Sequence, residues 1–370
     1  MVVPQLVDDT FLCDPPRALV LERGFRFHHG EVIAPFSIVY ETYGELSPAR
    51  DNAILVCHAL SPGAHAAGKY TPGDAKPGWW DGMIGYGKGI DLTRWFVVCV
   101  NFPGSPWGTT GPRSIDPATG RPYGSRYPWI TMEDMIESQR LVADHLEIAR
   151  WRCVAGSSLG GMAAMMWPVL HPERTGGLIV MAAAAAVPVT SVAWHLIGRK
   201  IVESDAAFHG GDYYDRADTL RGLQLARMVG HMTYMSGPSL ESKFGRRRRG
   251  GTRQFEVDSY LEYQGGKFAA SYDANSYIRG QAAMDEMDLE EQFGSLDAAF
   301  ARYRGGKALL VSFDTDWLFP PADTSRLHAG MRRAGVKAVH LWLSSPKGHD
   351  AFLLDYPLIV PPVRTFLDGL

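Results

Sequence analysis

Apolar and polar positions along this chain fall into two rhythms. Short, uniformly apolar runs recur at 54–58, 95–101, 152–155, 178–182, 309–313 and 339–343. Several are too apolar for strands with one wet face, which predicts buried parallel strands in one sheet. Residues 25–43 instead alternate and end in Tyr43 and Gly44, the pattern of an antiparallel hairpin at the sheet edge. Thr131 and Asp134 suit a capping box, and Met135, Ile136, Leu141, Val142 and Leu146 follow at helical spacing. Between 188 and 295 strand-like runs vanish and helical stretches such as 223–233 and 257–264 take over. The pattern predicts an α/β protein: a catalytic core over 1–187 and 296–370, its mostly parallel sheet flanked by helices, with an inserted helical lid over 188–295.

One strand-to-helix junction carries chemistry. The run 152–155 delivers Gly156, Ser157, Ser158, Leu159 and Gly160 into a helix-forming segment. A serine perched on such a turn needs very small residues two positions before and after it; Gly156 and Gly160 give that frame to Ser158 and not to Ser157. A serine hydroxyl is a weak nucleophile until an imidazole takes its proton, and the imidazole needs a carboxylate to fix its tautomer. In the α/β-hydrolase order, acid and then base follow the serine. The strand at 309–313 empties into Asp314 and Asp316, and the strand at 339–343 into a turn-rich loop holding His349. The candidate triad is Ser158, Asp316 and His349, with Asp314 the local competitor for the acid. Two backbone amides must also face the developing oxyanion. Those of Leu159 and of Leu60, in the loop after the first core strand, are the candidates. His58 and His65 share that loop without a third ligand at metal-like spacing, so they are taken as hydrogen-bonding residues and no metal site is predicted.

Composition narrows the class. The chain has 370 residues, 46% hydrophobic and 21% charged, enough to bury a large core and unlike a disordered chain. A net charge of -3 gives no case for nucleic acid or an anionic membrane. The exception is the run Arg246, Arg247, Arg248 and Arg249, read as a solvated loop, with a phosphate anchor for a nucleotide-bearing substrate the lesser alternative. Three of the four cysteines, Cys57, Cys99 and Cys153, fall in core strands, which with no apolar leader at the start and no run long enough to span a bilayer predicts a cytoplasmic enzyme.

Further blocks complete the picture: Gly78-Trp79-Trp80-Asp81, Gly108-Thr109-Thr110-Gly111-Pro112, Leu225-Ala226-Arg227-Met228, Phe244-Gly245-Arg246 and Gly348-His349-Asp350. With the elbow and the loop at 58–61, they resemble the homoserine O-acyltransferases of the α/β-hydrolase superfamily over nearly the whole chain. The resemblance implies the same triad, an Arg227 that grips the amino-acid carboxylate, an Asp350 that takes its ammonium group, and a Tyr234 close to the substrate. It also implies a ping-pong reaction with acetyl-CoA or succinyl-CoA as co-substrate and no bound cofactor, a place in methionine biosynthesis, and a homodimer formed through the lid.

The sequence departs from that pattern at Ala163, at Asn101 to Trp107, through 182–194 and at His195. Leu318 is neutral where succinyl-using relatives can present an arginine, which favours acetyl-CoA. The other readings are a serine O-acyltransferase, a succinyl-CoA-dependent enzyme, an enzyme of specialised metabolism, and a carboxylesterase, which would not need the Arg227 and Asp350 pair.

Overall fold

The computed structural model describes residues 10–216 and 220–370; the reading that the chain lacks a leader falls partly on residues 1–9, outside that range. Among the described residues, eight strands form the central sheet. They are β1 (Arg17–Leu21), β2 (Phe36–Tyr43), β3 (Ala53–Cys57), β4 (Phe96–Val100), β5 (Trp151–Ser157), β6 (Thr175–Met181), β7 (Lys307–Phe313) and β8 (Lys337–Leu343). Their spatial order is β1-β2-β4-β3-β5-β6-β7-β8. β2 runs antiparallel to both of its neighbours, and every other pairing is parallel. This is the mostly parallel sheet expected from the run of apolar strands.

The six apolar runs all become strands. β3 and β4 are buried at every position, which explains why they lack alternation: helices or loops cover both faces. The hairpin at 25–43 is corrected. Phe25–Arg26 and Val32–Ile33 make a two-stranded sheet of their own, while Phe36–Tyr43 enters the main sheet and pairs outward with β1. Two apolar clusters fill the faces of the sheet, one around Phe36, Met166 and Leu310, the other around Trp80, Val97 and Val311. Helix α1 (Met132–His145) starts at the predicted capping box, with Thr131 Oγ1 accepting from the Asp134 amide. Helix α2 (Leu159–Leu170) follows β5 directly and is buried at nearly every position.

Among the described residues, 189–286 contribute five α-helices and no strand to the main sheet: α3 (Val189–Glu203), α4 (Arg221–Tyr234), α5 (Gly237–Phe244), α6 (Glu256–Ala269) and α7 (Ala274–Glu286). They have a small core of their own, including Leu223, Ala226, Phe268 and Ile278. Buried Arg279 of α7 ties this layer to the core by donating to the carbonyls of Ser125 and Tyr127 at 2.9 and 2.6 Å. Among the described residues no helix is long and apolar enough to cross a membrane.

Candidate active site

The turn between β5 and α2 sets the geometry. Ser158 has φ 56° and ψ −130°, a left-handed conformation that costs a non-glycine residue energy and is kept where the surroundings enforce it. They do so by close packing. A Cβ on Gly156 would lie 2.0 Å from the Gly160 carbonyl oxygen, and one on Gly160 would lie 2.1 Å from that of Cys57. The two glycines are therefore required for space. Ser157 ends the strand with its hydroxyl buried and unpartnered, so the frame selects Ser158 as the sequence predicts.

The structure brings the three triad candidates together across 191 residues of chain. Ser158 Oγ lies 2.9 Å from His349 Nε2, and His349 Nδ1 lies 2.8 Å from Asp316 Oδ2. The other Asp316 oxygen accepts the amides of Leu318 and Phe319 at 3.0 and 2.9 Å, which locks the carboxylate. Asp314 does not compete: it accepts from Ser344 Oγ and the Ser345 amide instead. Gly348 fixes the approach of the histidine, with φ 70° and room for a Cβ filled by the Ser236 amide at 2.6 Å. Burial alone would lower the His349 pKa, but the charge of Asp316, its hydrogen bond and then Asp350 hold it above the ordinary imidazole value.

A pocket of about 90 Å³ opens over Ser158, lined by Leu60, Arg227, Tyr234, Leu318 and Asp350 among others. The Leu159 amide heads α2, where a first-turn N–H has no intrahelical carbonyl to bond. The carbonyl of Leu60 accepts from Tyr272 Oη at 2.6 Å, which ties this loop to the helical layer. His58 takes the Phe102 amide on Nε2 at 3.1 Å, so Nδ1 carries the proton and donates to the Ala59 carbonyl. Burial lowers its pKa to about 4; it is a neutral hydrogen-bonding residue, as predicted.

Arg227 and Asp350 face this pocket from different elements. The guanidinium stacks over Phe268 and Tyr234 at 4.5 and 5.0 Å and donates to Ser61 Oγ at 2.8 Å. Among the described residues neither Arg227 nor Asp350 is in an ion pair, although burial raises the Asp350 pKa against the opposing pull of His349 and Arg227. A cation and a carboxylate held apart beside a nucleophile suit a small zwitterion. Ser61, Phe268 and Tyr272 were missed by the sequence reading, since their part depends on how distant helices fold over the loop.

The departures noted in the sequence lie outside the pocket lining. Ala163 is wholly buried in α2. His195 joins Arg199 in binding Asp285 of α7 at 2.6 Å. Trp107 braces the loop at one remove, donating to the Ser61 carbonyl at 2.9 Å.

Comparison with known proteins places this geometry. The family described as alpha/beta hydrolase fold matches residues 52–356. A homoserine O-acetyltransferase of Deferribacter desulfuricans is 44% identical over 352 residues, covering 94% of this chain and 93% of that protein. The chain belongs to the homoserine O-acyltransferase family. A second relative at 44%, from Laribacter hongkongensis, is named a homoserine O-succinyltransferase and spans 92% of this chain and 91% of its own, so overall identity does not choose the donor. Among solved structures, a Bacillus anthracis homoserine O-acetyltransferase matches with a TM-score of 0.89 at 28% identity, over 96% of this chain and 97% of that one. Esterase E22 matches with 0.88 at 26%, over 95% and 99%. This homoserine O-acyltransferase family member is thus an enzyme on a scaffold that also carries ester hydrolysis.

Proposed function

We propose that the chain transfers an acetyl group from acetyl-CoA to the hydroxyl of homoserine through an acyl-Ser158 intermediate. Ser158 Oγ attacks the thioester carbonyl as its proton passes to His349 Nε2, with Asp316 stabilising the imidazolium. The Leu60 and Leu159 amides receive the oxyanion. CoA leaves as the thiol, taking that proton. The homoserine hydroxyl then gives its proton to His349 and attacks the acyl carbon, and Ser158 regains a proton as O-acylhomoserine departs.

The observation that carries this reading is the pairing of a complete triad with separated Arg227 and Asp350 in one pocket. Arg227 takes the homoserine carboxylate in a planar, two-pronged contact, Asp350 its ammonium group, and Tyr234 packs beside them. Arg227 is the one cation lining the pocket among the described residues. With it engaged by the amino acid, no second cation is left for the distal carboxylate of a succinyl group, and neutral Leu318 and Met284 suit acetyl. The product suits methionine biosynthesis, and α3, α4 and α6, which expose Leu196, Ile197, Met232 and Tyr263, are proposed as the homodimer face.

Ester hydrolysis is the second reading, favoured by the likeness to esterase E22. Thiol release from acetyl-CoA and from succinyl-CoA, each with homoserine, serine or no acceptor, separates the readings. Homoserine-dependent release from acetyl-CoA is expected. Acceptor-independent release would establish a hydrolase, and preference for succinyl-CoA or serine would replace the donor or the acceptor.

A further inference from the structure

A second cluster of reactive side chains lies outside the acyl-transfer pocket. Cys13 Sγ, a carboxylate oxygen of Glu41 and a ring nitrogen of His65 lie within 4.8 Å of one another. They arrive from three segments. Cys13 is set by main-chain bonds on either side of Lys69, the Cys13 amide donating to the Lys69 carbonyl at 2.8 Å and the Lys69 amide to that of Phe11 at 2.9 Å. Glu41 is on β2, and His65 ends the loop that carries Leu60 and Ser61. No spacing in the sequence links them, which is why His65 lacked a third ligand when read along the chain.

Glu41 is only 2% exposed, and its sole ion-pair partner among the described residues is His65, with Nδ1 at 3.1 Å. A buried carboxylate with no permanent cation is costly. The hydroxyls of Tyr43 and Tyr70 donate to it at 2.7 and 2.6 Å, the outer contacts that orient a ligating carboxylate. The Tyr70 ring stacks on the His65 imidazole at 4.3 Å and fixes its plane. Thiol, imidazole and carboxylate together are the donor set of a zinc-type ion, and partly buried Cys13 is a free thiol.

We propose that Cys13, Glu41 and His65 form a structural site for one divalent transition-metal ion of zinc type, with water as the fourth ligand. Binding converts the Cys13 thiol to a metal thiolate and releases its proton to solvent; nothing is oxidised or reduced. The ion would fasten the N-terminal segment to the loop that presents Leu60.

The test uses the full chain, reduced and stripped by a chelator, with Zn²⁺ or Co²⁺ alone as probe. Cys57, Cys99 and Cys153 are buried, so a thiol reagent applied to the folded protein reads Cys13. One equivalent of Zn²⁺ is expected to abolish that labelling, and Co²⁺ to give the intense sulfur-to-metal absorption of a tetrahedral thiolate site. Cys13→Ser is expected to lose the band while keeping its circular dichroism. Tyr70→Phe keeps all three ligands and is expected to weaken metal affinity about 10- to 100-fold. Labelling of Cys13 indifferent to Zn²⁺, or a cobalt spectrum unchanged in Cys13→Ser, overturns the proposal.

Discussion

At the scale of single residues, the account rests on Ser158, His349 and Asp316 acting as one unit. Ser158→Ala is expected to lower kcat/KM for thiol release by about 10⁴-fold or more, and Asp316→Asn by about 10⁴-fold with the fold retained; steady-state kinetics on purified variants check both. His349 must be neutral to accept a proton, and Asp316 holds its pKa above the ordinary imidazole value against the lowering effect of burial. Activity should therefore fall as pH drops through a midpoint raised above that of a free imidazole, and Asp316→Asn should move that midpoint down in a kcat/KM profile. Arg227→Lys removes the flat fork that matches a carboxylate. It is expected to raise the homoserine KM by about tenfold or more, since a charge-assisted hydrogen bond contributes about 1.5–3 kcal/mol, while the KM for acetyl-CoA changes little. The triad was legible in the sequence because order, strand context and the glycine frame all pointed to the same three residues. The places of Arg227 and Asp350 came from family resemblance alone, since a lone arginine on a helix reads as a surface charge. Tyr272 gave no signal and Ser61 stood only within the block at 58–61, because their parts depend on tertiary contacts with Leu60 and Arg227.

At the scale of elements, the junction of β5 and α2 is the part the rest depends on. Gly160→Ala places a methyl group against the Cys57 and His58 carbonyls. This substitution is expected to destabilise the protein by about 1–3 kcal/mol or more and to lower activity by disturbing both Ser158 and the neighbouring Leu60 loop. Thermal unfolding and thiol release on the same sample check it. Core strands were legible because burial on both faces leaves a continuous apolar run. The edge was misread because β1 is largely exposed and its apolar run is short, only Ala18 to Leu21, while its partner β2 was assigned to the hairpin before it. The capping box at Thr131 was legible because it is a purely local device.

At the scale of the whole molecule, an α/β-hydrolase-fold core and a helical layer meet at a small pocket. The core supplies Ser158, Asp316 and His349, the proposed nucleophile, acid and base; α4 supplies Arg227 and Tyr234, and Tyr272 after α6 holds the Leu60 loop. On the proposed reading, this division lets a scaffold shared with esterases favour an amino-acid hydroxyl over water, because the acceptor would be held in position for attack. The exposed apolar residues of the helical layer lead to a further expectation. Light scattering should give the mass of two chains, and Ile197→Asp should shift it to one; a single-chain mass for the unaltered protein would remove the dimer from the account. The change of rhythm after 188 was legible in the sequence, whereas the way the helical layer docks through buried Arg279 was not.

The most direct measurement is the intact mass of the enzyme mixed briefly with acetyl-CoA in the absence of acceptor, followed by peptide mapping and a chase with homoserine. The account predicts one acetyl group on Ser158 that homoserine removes as O-acetylhomoserine. An enzyme that produces O-acetylhomoserine while Ser158 never carries the acyl group, or that still does so as Ser158→Ala, would contradict it.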